Sequence, residues 1–145
     1  MDTTQHWLDL LQENGCRVTA PRRVIVETLV NSPRALDALD LFDLCRQAQP
    51  GIGLVTVYRT LEKLEELDLI QRVHREDGCH IVMKAAVGHQ HYLVCTSCGR
   101  TTLFEGDDIS PLIRSVEGQT GFRVDDHWLQ LFGRCPDCCE KADVQ

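Results

Sequence analysis

His89 to Cys98 reads His-Gln-His-Tyr-Leu-Val-Cys-Thr-Ser-Cys, two imidazoles two positions apart followed by two thiols at Cys-x-x-Cys spacing. A second Cys-x-x-Cys, Cys135 and Cys138, lies near the C-terminus. Each such knuckle turns both sulfurs to one side of a tight turn, and two knuckles facing each other make a closed tetrahedral zinc site. The plainer reading is four ordinary buried cysteines. Thiol exchange also uses Cys-x-x-Cys, but that motif sits at a helix start after a strand and occurs once. His89 and His91 are surplus to a site that four sulfurs already close. Residues two apart on an extended segment share a face, so the two imidazoles form half of a second metal site, unless they are only solvent-facing loop histidines. A closed site beside a half-built one fits a protein that keeps one metal and senses another.

The chain has 145 residues and eight cysteines. That length suits one ordinary domain or two small ones. Met1 to Thr4 lacks signal-peptide character, and no apolar run reaches membrane-spanning length. The expectation is a cytoplasmic protein with no membrane partner, in which cysteines serve metal rather than disulfides. A formal net charge of −7 argues against broad polyanion binding. It leaves room for sequence-specific DNA reading, which needs only a local basic face on a groove reader.

The elements that must position these residues follow from apolar spacing. Trp7, Leu8, Leu10 and Leu11 mark a helix over Thr4 to Asn14, ended by Gly15. Thr19 as N-cap with Pro21 in the first turn starts a second helix, running to Asn31 and burying Val24, Ile25, Thr28 and Leu29. Asp37 caps a third that continues to Ala48, with Leu41, Leu44, Cys45 and Ala48 inward and Cys45 a core thiol. A fourth spans Val55 to Leu67 with Val57, Leu61 and Leu64 inside. Thr56, Arg59, Thr60 and Lys63 recur at helical spacing on what is predicted to be its outer face. Helix, turn, then a helix with a basic polar face is the form of a helix-turn-helix DNA reader, and a solvated helix face is the alternative. Leu69 to His74 and Cys79 to Met83 flank Glu76-Asp77-Gly78, a hairpin signal. The fold class is α+β. A winged-helix DNA-binding domain is expected over residues 1–83, a hinge over 84–88, and a small α/β dimerisation and metal-binding domain over 89–145. The last is predicted to hold strands at Tyr92 to Val94 and Arg100 to Glu105, and a helix from Ile109 to Thr120 capped by Asp107 or Asp108. A strand over Phe122 to Phe132 and a frayed tail after Cys139 complete it.

Four pieces, in this order and spacing, carry a resemblance: Arg17-Val-Thr-Ala-Pro-Arg22, Thr56-Val-Tyr-Arg-Thr-Leu61, His89-x-His91-x-x-x-Cys95-x-x-Cys98-Gly99 and Cys135-x-x-Cys138. Over nearly its whole length the chain resembles the ferric uptake regulator superfamily of bacterial metal-dependent repressors. The resemblance implies a homodimer that binds palindromic double-stranded operators when metal is bound, and is not an enzyme. It implies DNA contact by Tyr58 and Arg59 on the recognition helix and by Arg17 in the minor groove. Arg22, which closes the same motif, is placed with the DNA contacts. It also implies one structural zinc per subunit on Cys95, Cys98, Cys135 and Cys138, and a sensory site that includes His89 and His91.

Departures from the family pattern set the expected sensor type. No histidine precedes the third helix, where the segment reads Pro33-Arg-Ala-Leu-Asp37, and Met83 stands where the iron type commonly carries a carboxylate. Gly88, Gln90 and Ser110 remove most of a third site found in some members, leaving only His127. Cys79, then His80, are the candidates to complete the sensory site; Glu105, on a strand face with Leu103, is weaker, and His74 weaker still. A thiolate beside imidazoles favours zinc over ferrous iron or manganese. The chain is thus most like the zinc uptake regulator branch, with Zn2+ as the regulatory metal and repression of metal uptake genes as the expected function. An iron- or peroxide-responsive regulator is the alternative. A zinc hydrolase on His89, His91 and Cys79 would lack a placed Glu base, and a zinc-stabilised adaptor would have no use for the Thr56 to Lys63 face.

Overall fold

The structure, a computed structural model, describes residues 2–73, 81–85, 90–106, 109–127 and 129–143. The chain divides into two compact units, Met1–Ala85 and Ala86–Gln145. The expected hinge over 84–88 falls largely outside the described residues.

The first unit is built on four helices with clear start signals. In α1 (Thr3–Glu13) the Asp2 carboxylate accepts the Thr4 amide at 3.0 Å, and Gly15 at φ +84° turns the chain away. α2 (Ala20–Asn31) starts at Thr19, whose hydroxyl accepts the Arg22 amide at 3.4 Å, with Pro21 in the first turn. α3 (Ala38–Ala48) starts at Asp37, which accepts the Asp40 amide at 2.7 Å. α4 (Leu54–Glu66) begins after Gly53 with no side-chain cap. The helices close one core of Trp7, Leu8, Leu11, Ile25, Val26, Leu29, Leu41, Cys45, Val57, Leu61 and Leu64. In α2 the side chain that goes fully inside with Ile25 and Leu29 is Val26, while Val24 and Thr28 are only half-buried. In α3 the expectation for Leu44 and Ala48 fails, since both are exposed. The stripe is centred between Leu41 and Cys45, Phe42 and Leu44 flank it equally at helical spacing, and packing takes Phe42. Burial pushes the Cys45 thiol up, against a Thr28 hydroxyl at 3.6 Å, so it stays a protonated core group.

The wing is a hairpin of β1 (Ile70–Val73) and β2 (Ile81–Lys84), antiparallel with Ile70 opposite Lys84. Its turn lies outside the described residues. Leu36 bridges to Val82 through two backbone hydrogen bonds of 2.9 and 2.8 Å, fastening the hairpin to the α2–α3 connection.

The second unit holds a three-stranded sheet in the order β4-β3-β5. β3 (Gln90–Cys95) pairs antiparallel with β4 (Thr101–Glu105) and parallel with β5 (Gln130–Gly133). The parallel pair needs a crossover, and α5 (Ser110–Thr120) lies within it. Helix α5 starts after Ile109 with no side-chain cap bond; Asp107 and Asp108, expected as caps, lie outside the described residues. The strand expected over Phe122 to Phe132 is confined to Gln130–Gly133. Ahead of it the Val124 amide is taken by the Glu117 carboxylate at 2.8 Å, and the His127 amide by Asp126 at 2.8 Å, so these donors are not offered to a ladder. The tail is not frayed but forms α6 (Pro136–Asp143), with Asp137 in the first turn and Lys141 in the last, as the helix dipole favours.

Candidate metal centre and recognition helix

The parallel register sets the four-sulfur site. Cys95 ends β3 opposite Gly133, two residues before Cys135, and the Thr96 amide donates to the Gly133 carbonyl at 2.8 Å. After Cys98 the first knuckle closes through Gly99 at φ +77°, a conformation that glycine adopts at no steric cost. The second knuckle spans the start of α6. The sulfur atoms of Cys95, Cys98, Cys135 and Cys138 all lie within 4.8 Å of one another, with Cys98 and Cys135 at 3.7 Å. Tetrahedral zinc–sulfur bonds of about 2.3 Å require sulfur–sulfur edges of about 3.8 Å, so the donor set fits the ion. Backbone amides support the sulfurs: Cys135 donates to Cys95 Sγ at 3.3 Å and Arg100 to Cys98 Sγ at 3.4 Å. Outside, the Arg100 guanidinium reaches Asp137 at 2.7 Å and joins the two knuckles.

Charge within the cluster explains why it calls for a dication. Burial alone would raise the Cys95 thiol, but the amides of Cys135, Cys98 and Ser97 and the Cys98 side chain outweigh it and bring it down to about 6. Cys138 is pushed up to about 12, first by Cys135, then by burial and the remaining sulfurs. The Cys95 thiolate forms readily and Cys138 resists, a resistance that a bound dication removes. Cys139 turns away, 3.5 Å from the Arg134 carbonyl. The second pair does sit at a helix start, as redox pairs do. Its sulfurs nevertheless face Cys95 and Cys98 as a closed group of four.

Of the expected sensory residues, His89, Cys79 and His80 lie outside the described residues, as does His74. His91 is described, and it is 5% exposed. It stands opposite Phe104 in the β3–β4 ladder, with ring centres 5.6 Å apart. Glu105 is corrected by the same register. Side chains alternate along a strand, so if Phe104 shares the face of His91, Glu105 is on the other face, and it is exposed. Two neighbours of His91 were not expected. The His127 ring lies 5.9 Å away, centre to centre. Gly106 passes so close that a Cβ there would stand 2.6 Å from His91 Cδ2 and 3.1 Å from Nε2. A glycine directly after an alternating strand was the available signal for the second; for the first, the signal was His127 as the remaining member of the third site that the resemblance named.

On α4, Val55, Tyr58, Arg59, Glu62 and Glu66 are the exposed residues. Thr56 and Lys63 are half-buried at its borders, and Lys63 pairs with Glu66 at 3.1 Å. Thr60 does not belong to the outer face. It is 1% exposed, and its hydroxyl donates to the Thr56 carbonyl at 2.7 Å. Helical spacing put it one step outside the Val57–Leu61–Leu64 stripe, and the core extends over that step because the internal bond satisfies its hydroxyl. Arg17 is exposed, while Arg22 turns its guanidinium to the Arg17 carbonyl at 2.8 Å and braces the loop that carries Arg17.

Residues 13–132 match the sequence profile of the Ferric uptake regulator family. The ferric uptake regulation protein of Neisseria meningitidis serogroup A is 31% identical over 133 residues, 91% of this chain and 92% of its own. A zinc-bound manganese uptake regulator superposes with a TM-score of 0.70 at 28% identity, over 92% of this chain and 99% of its own. The Helicobacter pylori ferric uptake regulator, described with three functional metal binding sites, shares the fold with a TM-score of 0.74 at 22% identity, over 95% of both chains.

Proposed function

The chain belongs to the ferric uptake regulator family, and from that premise we propose that it is a zinc-responsive repressor of metal uptake genes. Members of this family are metal-responsive transcriptional regulators that bind DNA and act as dimers. The observation that carries the proposal is a buried imidazole in the second unit that lies outside a donor set already closed. A closed group of four sulfurs is already complete, and a buried imidazole, His91, stands outside it.

In this reading Cys95, Cys98, Cys135 and Cys138 hold a structural zinc, which supplies a charge-neutralising cross-link between β3 and α6. His89 and His91, with Cys79 and then His80, hold the regulatory cation. The Cys79 thiolate in that set favours zinc. Residues 1–83 read DNA, 84–88 are the hinge, and 89–145 dimerise through the apolar surface left open by Leu112, Val116, Phe122, Leu131 and Phe132. Tyr58 and Arg59 face the major groove, flanked by Thr56 and Lys63, with Arg17 on the adjoining backbone or minor groove. A dimer reads a palindrome, with half-sites spaced by a helical turn or a multiple of it. Ligands drawn from the wing and from the dimer unit make one orientation of the recognition helices favoured when the cation is bound. Such linkage amounts to ~1–3 kcal/mol. The protein acts in the cytoplasm, where its DNA is.

Iron is the second reading, supported by the name of the Neisseria relative. Mobility shift of promoter DNA in chelator, Zn2+, Fe2+ and Mn2+ decides between them. Zinc alone should promote binding at low free metal. Promotion by iron and not zinc would overturn the zinc assignment, and binding indifferent to every metal would overturn the regulator itself.

A further inference from the structure

We propose that Val55 packs against the C5-methyl group of a thymine in the major groove, and so helps to set which bases the recognition helix accepts. The inference rests on the reading of α4 as that helix. It adds an apolar reader to a face so far read through Tyr58 and Arg59.

Position carries it. At 62% exposed, Val55 is the most open large apolar side chain of the first unit among the described residues. A lone exposed valine is ordinary on a protein surface, but this one has a particular place. With about 100° between successive helical residues, Val55 falls around the axis between Tyr58 and Arg59, and about one turn ahead of both. Recognition helices of the helix-turn-helix type put their N-terminal residues on base edges, and Val55 follows only Leu54 in α4.

Charge points the same way. The exposed stripe continues from Arg59 to Glu62 and Glu66. At about 1.5 Å of rise per residue, those two acids lie about 10 and 16 Å along the helix from Val55. DNA phosphates attract Arg59 and repel the acids, so the N-terminal turns enter the groove and the acidic turns are held back. The approach to Val55 is also open. Gly53 is the N-cap with no side-chain cap bond, and a Cβ added there would meet no atom of the described residues within 4 Å. A serine or aspartate would cap the helix better; glycine leaves room for a close approach. In the major groove thymine alone of the four bases presents a methyl group, and the other features there are chiefly donors and acceptors that a valine cannot satisfy.

Deoxyuridine tests this, since it pairs as thymidine does and lacks only the methyl group. A promoter fragment bound in Zn2+ is remade with each thymine in turn replaced by deoxyuridine. Affinity is measured for the wild type, Val55→Ala and Arg59→Ala. Alanine is the better helix former, so Val55→Ala should fold, dimerise and keep its zinc. The wild type should lose about fourfold per half-site at one thymine, the worth of a buried methyl group. Val55→Ala should bind the unmodified fragment more weakly by a similar factor and lose little further at that same thymine. Deoxyuridine elsewhere should affect both proteins alike. If every replacement costs Val55→Ala as much as the wild type, or if none costs the wild type anything, the inference is overturned, and weaker binding by Arg59→Ala then shows that α4 still reads DNA. Equal binding by Arg59→Ala and the wild type would instead overturn the reading beneath it.

Discussion

The two units of this chain are stabilised in different ways. The first buries side chains from all four helices and the wing around one apolar core. Among the described residues, the second has a short sheet with few buried, His91, Tyr92, Val94 and Cys95, and a helix, α5, with none. Leu112, Val116, Phe122, Leu131 and Phe132 stand open on it. A small sheet with one thin face needs outside cover. On the reading proposed above, the four-sulfur site supplies a cross-link and a second copy of the chain supplies apolar cover. On that reading the first unit stands by itself, while the second depends on metal and partner.

Breaking the cross-link should have the largest effect. Cys98→Ser leaves three thiols where four close the site, and structural zinc contributes on the order of 10 kcal/mol to small folds that depend on it. The variant should lose its zinc and its dimer, seen by metal analysis and sedimentation, while the helical signal of the first unit persists. A stable zinc-free dimer would remove the contrast between the units. Breaking the core is the converse experiment. Leu64 is fully buried, and Leu64→Ala should cost ~2–5 kcal/mol in denaturant unfolding. Zinc content should not change; a loss of zinc would mean that the units do not stand on separate supports.

The surface of the first unit gives smaller and more selective effects. Arg59→Ala should leave zinc content and dimerisation untouched and weaken operator binding by ~1–3 kcal/mol, most strongly at the bases it reads. Equal affinity for the operator would remove Arg59 from the interface. Thr60→Val is the smallest perturbation. With its hydroxyl satisfied inside the helix, the change should cost ~0.5–1.5 kcal/mol of stability and leave DNA affinity as it was. A loss of affinity with stability unchanged would return Thr60 to the outer face.

The same contrast governs what could be read from the sequence. Caps and stripes are local, so Thr19, Asp37, the Val57–Leu61–Leu64 face and the start of each helix in the first unit were legible. The four cysteines were legible because knuckle spacing encodes geometry. Where choices depend on packing, spacing was silent. It could not rank Phe42 over Leu44, nor show that the core extends to Thr60. In the second unit the errors concern long-range pairing. The face of Glu105 follows from the β3–β4 register, and the short β5 follows from side chains that capture the Val124 and His127 amides. The approach of His127 to His91 joins residues 36 positions apart, a relation that no local pattern carries.

The central claim is that one metal supports the fold and another controls DNA binding. It is tested most directly by removing the second alone. Dimer loaded with both metals is treated with a chelator strong enough for an imidazole-rich site but too weak for four thiolates. Zinc per subunit and affinity for operator DNA are then measured on the same samples. The account predicts that one zinc per subunit and the dimer remain while operator affinity falls by about 5- to 150-fold. Affinity that holds until the four-sulfur zinc itself is lost would contradict it.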